Sequence, residues 1–249
     1  MTILNNKFFK IFDKIPVLGM IHLAGDNPVK RALEELSVFE EEGINGAIIE
    51  NYHGNINDVI ETLQEIPKLN TKVVIGVNVL PNEYDQSFSL ANKYGADFIQ
   101  LDYVAGKYLS GELDLDYYVS YKERFPQIVV LGGVWPKYYH PVHGSNLEDD
   151  IRQGMQRSEA IVVTGAGTGE ETPINKVKTF RRILGKHPLI IGAGLNPGNA
   201  YEQLYFADGA IVGSSLKTDY KTYNQLDKMQ IRDLISIVQQ VRSERNDKE

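Results

Sequence analysis

The chain has 249 residues, 42% hydrophobic and 24% charged, with a formal net charge of −7 and a sequence pI near 5.3; these values fit one soluble domain and oppose non-specific attraction to nucleic acid or an anionic membrane. No apolar stretch approaches the roughly 18 residues of a membrane span, and residues 1–9 lack the basic and long apolar regions of a secretory signal, so a cytoplasmic protein is expected. Cysteine is absent, which excludes disulfides, thiolate metal ligands and a cysteine nucleophile.

From the N-terminus onward, short Val/Ile/Leu-rich runs alternate with polar loops and amphipathic segments. The runs cover 17–23, 47–51, 73–80, 98–104, 128–135, 160–165, 189–194 and 210–216. Their spacing, roughly 20–32 residues, is that of strand–helix units. Their nearly continuous apolar character suits parallel strands covered on both faces. After the first run, Val29, Leu33, Leu36 and Phe39 form one helical stripe, with Asn27 as N-cap, Pro28 at the first helical position and Gly43 as the stop. Asn196-Pro197 repeats that start signal before the seventh helix. Asp227 caps the last helix, whose stripe is Ile231, Leu234, Ile235, Val238 and Val241. Residues 1–12 read as an N-terminal extension and 243–249 as a frayed charged tail. An open doubly wound sheet uses the same units. With no linker-like break, the pattern predicts a single (β/α)₈ TIM barrel over 1–249.

In such a barrel the chemistry sits on the loops at the carboxyl ends of the strands. His22 ends the first strand, Glu50 and Asn51 the second, and Asn78 lies near the end of the third. Asp102 follows Gln100 on the fourth, where strand parity decides whether it faces the barrel or the helices. Lys137 and His140 follow the fifth strand, and Thr164 ends the sixth before Gly165-Ala166-Gly167-Thr168-Gly169. Gly192-Ala193-Gly194 closes the seventh and Gly213-Ser214-Ser215 the eighth, the two positions where this fold recurrently holds phosphate. The phosphate or substrate set is therefore Gly192, Gly194, Gly213, Ser214, Ser215, Gly165, Thr168, Asn51, Asn78 and Lys137; glycines that only make tight turns are the alternative. Burying an unpaired carboxylate is costly, so Glu50 is solvated, paired or working, and Glu50, Asp102 and His22 form the catalytic set. A divalent metal on His22, Glu50, Asp102 and His140 is a weaker reading, without close ligand spacing; no other cofactor is expected. His53, His143 and His187 read as surface residues, and Tyr138-Tyr139 as packing.

Several segments together resemble the BtpA family over nearly the whole chain. They are Gly19-Met20-Ile21-His22-Leu23, Ile48-Ile49-Glu50-Asn51-Tyr52, Gly76-Val77-Asn78-Val79-Leu80 and Gly95-Ala96-Asp97-Phe98-Ile99. Further on come Ile161-Val162-Val163-Thr164-Gly165 with Thr168-Gly169, Ile191-Gly192-Ala193-Gly194, and Ala207-Asp208-Gly209-Ala210-Ile211-Val212-Gly213-Ser214-Ser215-Leu216-Lys217. The resemblance implies a ribulose-phosphate-binding type of barrel, related in fold to phosphoribosylanthranilate isomerase and tryptophan synthase α-subunits. The family's name comes from photosystem I biogenesis in cyanobacteria, yet members occur widely without photosynthesis, so no single reaction is implied. The chain departs from the family pattern at Pro81, at Gln100-Leu101-Asp102, at Gly132-Gly133 and at Trp135-Pro136-Lys137-Tyr138.

Three functions are in view. The leading one is an acid–base isomerase or lyase acting on a small phosphorylated metabolite, such as a sugar phosphate or phosphoribosyl compound. The second is the metal-dependent enzyme, and the third a non-catalytic assembly factor that keeps the ligand pocket. A Schiff-base aldolase is disfavoured because no lysine lies in the fifth or sixth strand. Homo-oligomers are common among such barrels, an analogy at the level of fold.

Overall fold

All eight apolar runs become strands of one closed parallel barrel in the computed structural model, which describes residues 6–246. In chain order the strands are β1 (Val17–Ile21), β2 (Gly46–Glu50), β3 (Val74–Asn78), β4 (Phe98–Leu101), a small hairpin of β5 (Lys107–Tyr108) and β6 (Gly111–Glu112), then β7 (Val129–Gly133), β8 (Ala160–Val163), β9 (Leu189–Ile191) and β10 (Gly209–Val212). The hairpin carries no apolar run and is not legible in the sequence pattern. Pairing of β1 with β10, Val17 opposite Ala210, closes the ring and rules out the open sheet.

Side chains alternate along each strand, so two cores form. Leu18, Met20, Ile48, Phe98, Leu131, Val162, Ile190 and Ile211 fill the barrel interior. Their neighbours, such as Val17, Ile49, Val77 and Val163, pack outward against the helices. Phe8 and Phe12 join the interior cluster from the amino-terminal end, where α1 (Phe8–Ile11) is a short helix. The described part of the N-terminal extension is thus a plug; residues 1–5 lie outside the described residues.

Asn27 caps α2 (Pro28–Glu41) as the sequence indicates, accepting from the Lys30 amide at 3.0 Å. The buried face of α2 is rotated from the expected stripe: Ala32, Glu35, Leu36 and Phe39 are buried, whereas Val29 and Leu33 are half-buried. Glu35 stands in the core because Lys217 Nζ lies 2.5 Å away and Arg31 Nε 3.0 Å away. Arg31 also donates to the carbonyls of Tyr223 and Asn224. This ion cluster ties α2 to the segment that follows β10.

The next helices are α3 (Ile56–Glu65), α4 (Tyr84–Tyr94), α5 (Leu115–Arg124), α6 (Leu147–Arg157) and α7 (Ile174–Leu184). After them α8 (Ala200–Phe206) starts later than Asn196-Pro197 suggests. Asn196 Oδ1 accepts from the Gly198 amide, and Asn199 Oδ1 from the Asn196 amide, so those residues make a turn ahead of the helix. The last helix, α9 (Lys228–Asn246), is capped by Asp227. It continues through residues 243–246, where fraying was expected, because Arg245 binds the carbonyls of Leu204 and Ala207 and the Asp208 carboxylate; residues 247–249 of the expected tail lie outside the described residues. Among the described residues, no helix is long and apolar enough to cross a membrane.

Glu35→Leu strands the buried Lys217 cation and is expected to cost about 3–5 kcal/mol. Lys217→Met leaves Glu35 paired with Arg31 and should cost less than half as much. Urea unfolding of the two variants measures the asymmetry, and equal losses would refute it.

Candidate active site

Continuing the inward alternation beyond the apolar layers carries polar groups to the carboxyl end of the barrel. Leu18 and Met20 lead to His22, Ile48 to Glu50, Phe98 to Gln100 and Asp102, Val162 to Thr164, Ile190 to Gly192, and Ile211 to Gly213. These residues converge on one cavity of about 290 Å³. Parity thereby settles the orientation of Asp102: it faces the cavity, away from the helices.

The floor is a buried amide–carboxyl network. Asn78 Nδ2 donates to Glu50 Oε1 at 2.8 Å and to Gln100 Oε1 at 2.5 Å. Burial, and then the nearby Asp102 charge, push the Glu50 carboxyl up to about 7, against the opposing pull of Lys137 and Asn78. Burial also raises Asp102, opposed by the Tyr139 hydroxyl, which donates to Asp102 Oδ2 at 2.8 Å, and by Lys137. His22 is held well below the usual imidazole range, first by burial and then by the charge of Lys217. At neutral pH it is therefore a neutral ring. It lies against Gly213, where a Cβ would come within 2.8 Å of His22 Cε1. Glycine at 213 is required by that close approach.

Across the mouth, Gly192, Gly194, Gly213, Ser214, Thr168 and Lys137 line the same cavity. Gly194 has φ +69°, and a Cβ there would stand 2.2 Å from the Glu170 carbonyl, so only glycine lets the loops after β8 and β9 pack. Lys137 Nζ donates to Thr168 Oγ1 at 3.0 Å, and its amide to Thr164 Oγ1 at 2.7 Å. Among the described residues, Lys137 is the one lysine or arginine lining the cavity.

Four residues expected to bind substrate stand outside the lining. Asn51 turns away from the barrel, as the neighbour of inward Glu50 must, and its amide is taken by Leu80: Oδ1 accepts from Leu80 N at 2.8 Å. Ser215 donates to the Leu195 carbonyl at 2.5 Å. Gly165 packs under the backbone of Glu170 and Glu171. Asn78 is 1% exposed and acts on the cavity through Glu50 and Gln100. The metal set does not assemble: His140 is exposed and apart from the cavity, and no three His, Asp or Glu among the described residues are arranged to hold an ion. His53 and His143 are exposed, whereas His187 is half-buried and pushed down to about 4, chiefly by burial.

Gln100 and Tyr52 line the cavity without having been proposed for the site, and Tyr138 and Tyr139, read from the sequence as packing, line it as well. The 98–100–102 alternation could have found Gln100. No local pattern marks the tyrosines, which reach the site through irregular loops. Tyr138 (φ 69°) accepts from the Thr168 amide at 2.8 Å and donates to Thr168 Oγ1 at 3.1 Å.

The family model for the BtpA family matches residues 14–240. The chain belongs to the BtpA family. It is 27% identical to PH1209 of Pyrococcus horikoshii, over 93% of this chain and 98% of that protein. It is 23% identical to the photosystem I biogenesis protein BtpA of Synechocystis, over 87% of this chain and 85% of that one. Among solved structures, phosphoribosyl anthranilate isomerase from Thermus thermophilus aligns with a TM-score of 0.65 at 16% identity, covering 91% of this chain and all of that one. The native KDPGal structure aligns at 0.63 and 13% identity, covering 93% and 98%. At these identities the structural likeness establishes the TIM-barrel fold alone.

Because the folded carboxyl of Glu50 titrates near 7, against 4.5 unexposed to that environment, folding favours its protonated form. That stability is complete below about pH 4.5 and lost as pH rises through 7. Relative to Glu50→Gln, which has no such proton to lose, the native chain should therefore become less stable by about 3 kcal/mol between pH 4.5 and 8. Unfolding free energies of both proteins at the two pH values measure this difference; a constant difference would contradict the raised pKa.

Proposed function

We propose that this barrel is an acid–base enzyme that isomerises a small phosphorylated metabolite or cleaves a carbon–carbon bond in it. The observation that carries the reading is a buried carboxyl, Glu50, poised near 7 in the same cavity as the glycine-lined ends of β9 and β10. A group titrating near the working pH is able both to take and to give a proton. The phosphate would lie against Gly192, Gly194, Gly213 and Ser214, with Thr168 at the side and Lys137 supplying positive charge.

Asp102 comes from β4, opposite β10 in the ring, and Glu50 from β2, three places from β9 and two from β10. Binding energy from the phosphate would thus hold the reacting carbon over the carboxyls without involving the phosphate in the chemistry. In this scheme Glu50 moves the proton, Asp102 is the second acid–base group with Tyr139 fixing its orientation, and neutral His22 hydrogen-bonds a developing oxyanion. The name of the isomerase neighbour is consistent with this class of reaction. A passive assembly factor, the role named for the Synechocystis relative, gains nothing from a carboxyl tuned to neutrality.

A panel of sugar phosphates, first screened by thermal shift and then followed by NMR for turnover, tests the proposal. Glu50→Gln should lower kcat by about 10²–10⁴-fold while leaving stabilisation by inorganic phosphate intact. In the native chain, kcat/KM should show a limb near pH 7. Ser214→Asp, which places like charge at the phosphate end, should abolish phosphate stabilisation. Saturable binding with no turnover of any compound would favour the assembly-factor reading instead.

A further inference from the structure

Resting on the phosphate end proposed above, we infer that the substrate is a phosphomonoester whose far end is an uncharged planar ring. The loop after β3 stands four places around the eight-strand ring from β9, so Leu80 and Pro81 face Gly192 and Gly194 across the mouth. Both residues line the cavity and form an apolar ledge.

That ledge is tied down on both sides. Asn51 accepts from the Leu80 amide at 2.8 Å and donates to its carbonyl at 3.4 Å. Asn82, next to Pro81, accepts from the Tyr103 amide at 3.0 Å and donates to its carbonyl at 3.2 Å. A ledge held by four side-chain-to-backbone bonds is organised before any ligand arrives, which lowers the cost of binding. Beside it, Tyr52 is 39% exposed and lines the cavity, with its ring set edge-on to His22 at 5.3 Å and to His53 at 4.9 Å.

The electrostatics of this half disfavour a second anion. The cavity's cation, Lys137, is bound to Thr168 on the phosphate side, while the strands flanking the ledge contribute Glu50 and Asp102. A bisphosphate would place its second charge beside two carboxyls and against apolar side chains, with only Lys137, already bound to Thr168, lining the cavity to offset it. A bare sugar chain would set hydroxyls against a ledge that offers them no partner. A flat uncharged ring meets neither penalty, and an aromatic face with an apolar edge is the surface on which such rings stack.

Calorimetric titration of the whole chain with uridine 5′-monophosphate, ribose 5-phosphate, ribulose 1,5-bisphosphate and uridine tests the assignment. The nucleotide should bind at least about tenfold tighter than ribose 5-phosphate, the usual scale of one stacking interaction. Tyr52→Ala should erase that advantage without changing the Kd for ribose 5-phosphate, and Tyr52→Phe should retain it. An unchanged melting temperature establishes that each variant is folded. Ribose 5-phosphate or the bisphosphate binding the native chain as tightly as the nucleotide would overturn the ring assignment and leave the phosphate reading standing. So would an undiminished nucleotide preference in Tyr52→Ala. Uridine binding as tightly as its monophosphate, or no binding by any phosphate, would overturn the phosphate reading and the ring assignment with it.

Discussion

Closure of the barrel through β1 and β10 imposes a two-residue alternation on all eight strands at once, and the site is a consequence of that alternation. Inside a closed ring every second residue must point at the axis. In the lower layers those positions are apolar, chiefly Leu, Ile, Val, Met and Phe, and are sealed below by Phe8 and Phe12. At the top the same positions are His22, Glu50, Gln100, Asp102, Thr164, Gly192 and Gly213, which are gathered into one cavity although they lie far apart in the chain. A one-residue slip in any strand would bury its polar group among the helices and expose its apolar ones. Core and site are therefore specified by one geometric rule.

Within the cavity, burial is the dominant electrostatic influence. It raises Glu50 and Asp102 and lowers His22, so all three groups are biased toward their neutral forms. Asn78 and Tyr139 compensate in part by donating hydrogen bonds to Glu50 and Asp102, and the opposed pull of Lys137 keeps Glu50 from rising further. The placement of charge is asymmetric, with carboxyls on the side of β2 to β4 and the lysine reaching toward the loop after β8. Glu35 and Lys217 act at a distance from the cavity by fixing the segment after β10 against α2, and the Lys217 charge adds to the burial that keeps His22 neutral.

Much of this was legible in the sequence. The eight apolar runs, the caps at Asn27 and Asp227 and the glycines at the ends of β9 (Gly192, Gly194) and β10 (Gly213) all depend on neighbouring residues, and local pattern reports them directly. Glu50 was legible because a carboxylate after three apolar strand residues needs an explanation. Other positions were not. Asn51 and Asn78 look equally suited to a ligand, yet one amide holds Leu80 and the other joins Glu50 to Gln100. His140 and Tyr139 are adjacent in a loop, and only the path of that loop puts the tyrosine on Asp102 and leaves the histidine exposed. Nothing local marks Glu35 as buried, because its partner, Lys217, lies at the far end of the chain.

The sequence by itself determined the strand–helix repeat, the membership of one barrel and the polar residues able to reach its mouth, because periodicity, capping and turn chemistry act over a few residues. Tertiary structure decided which of those residues share a cavity, which are taken up in bracing it, and what proton affinity each has. Those properties depend on burial and on contacts between segments distant in the chain, and neither exists until the ring is closed.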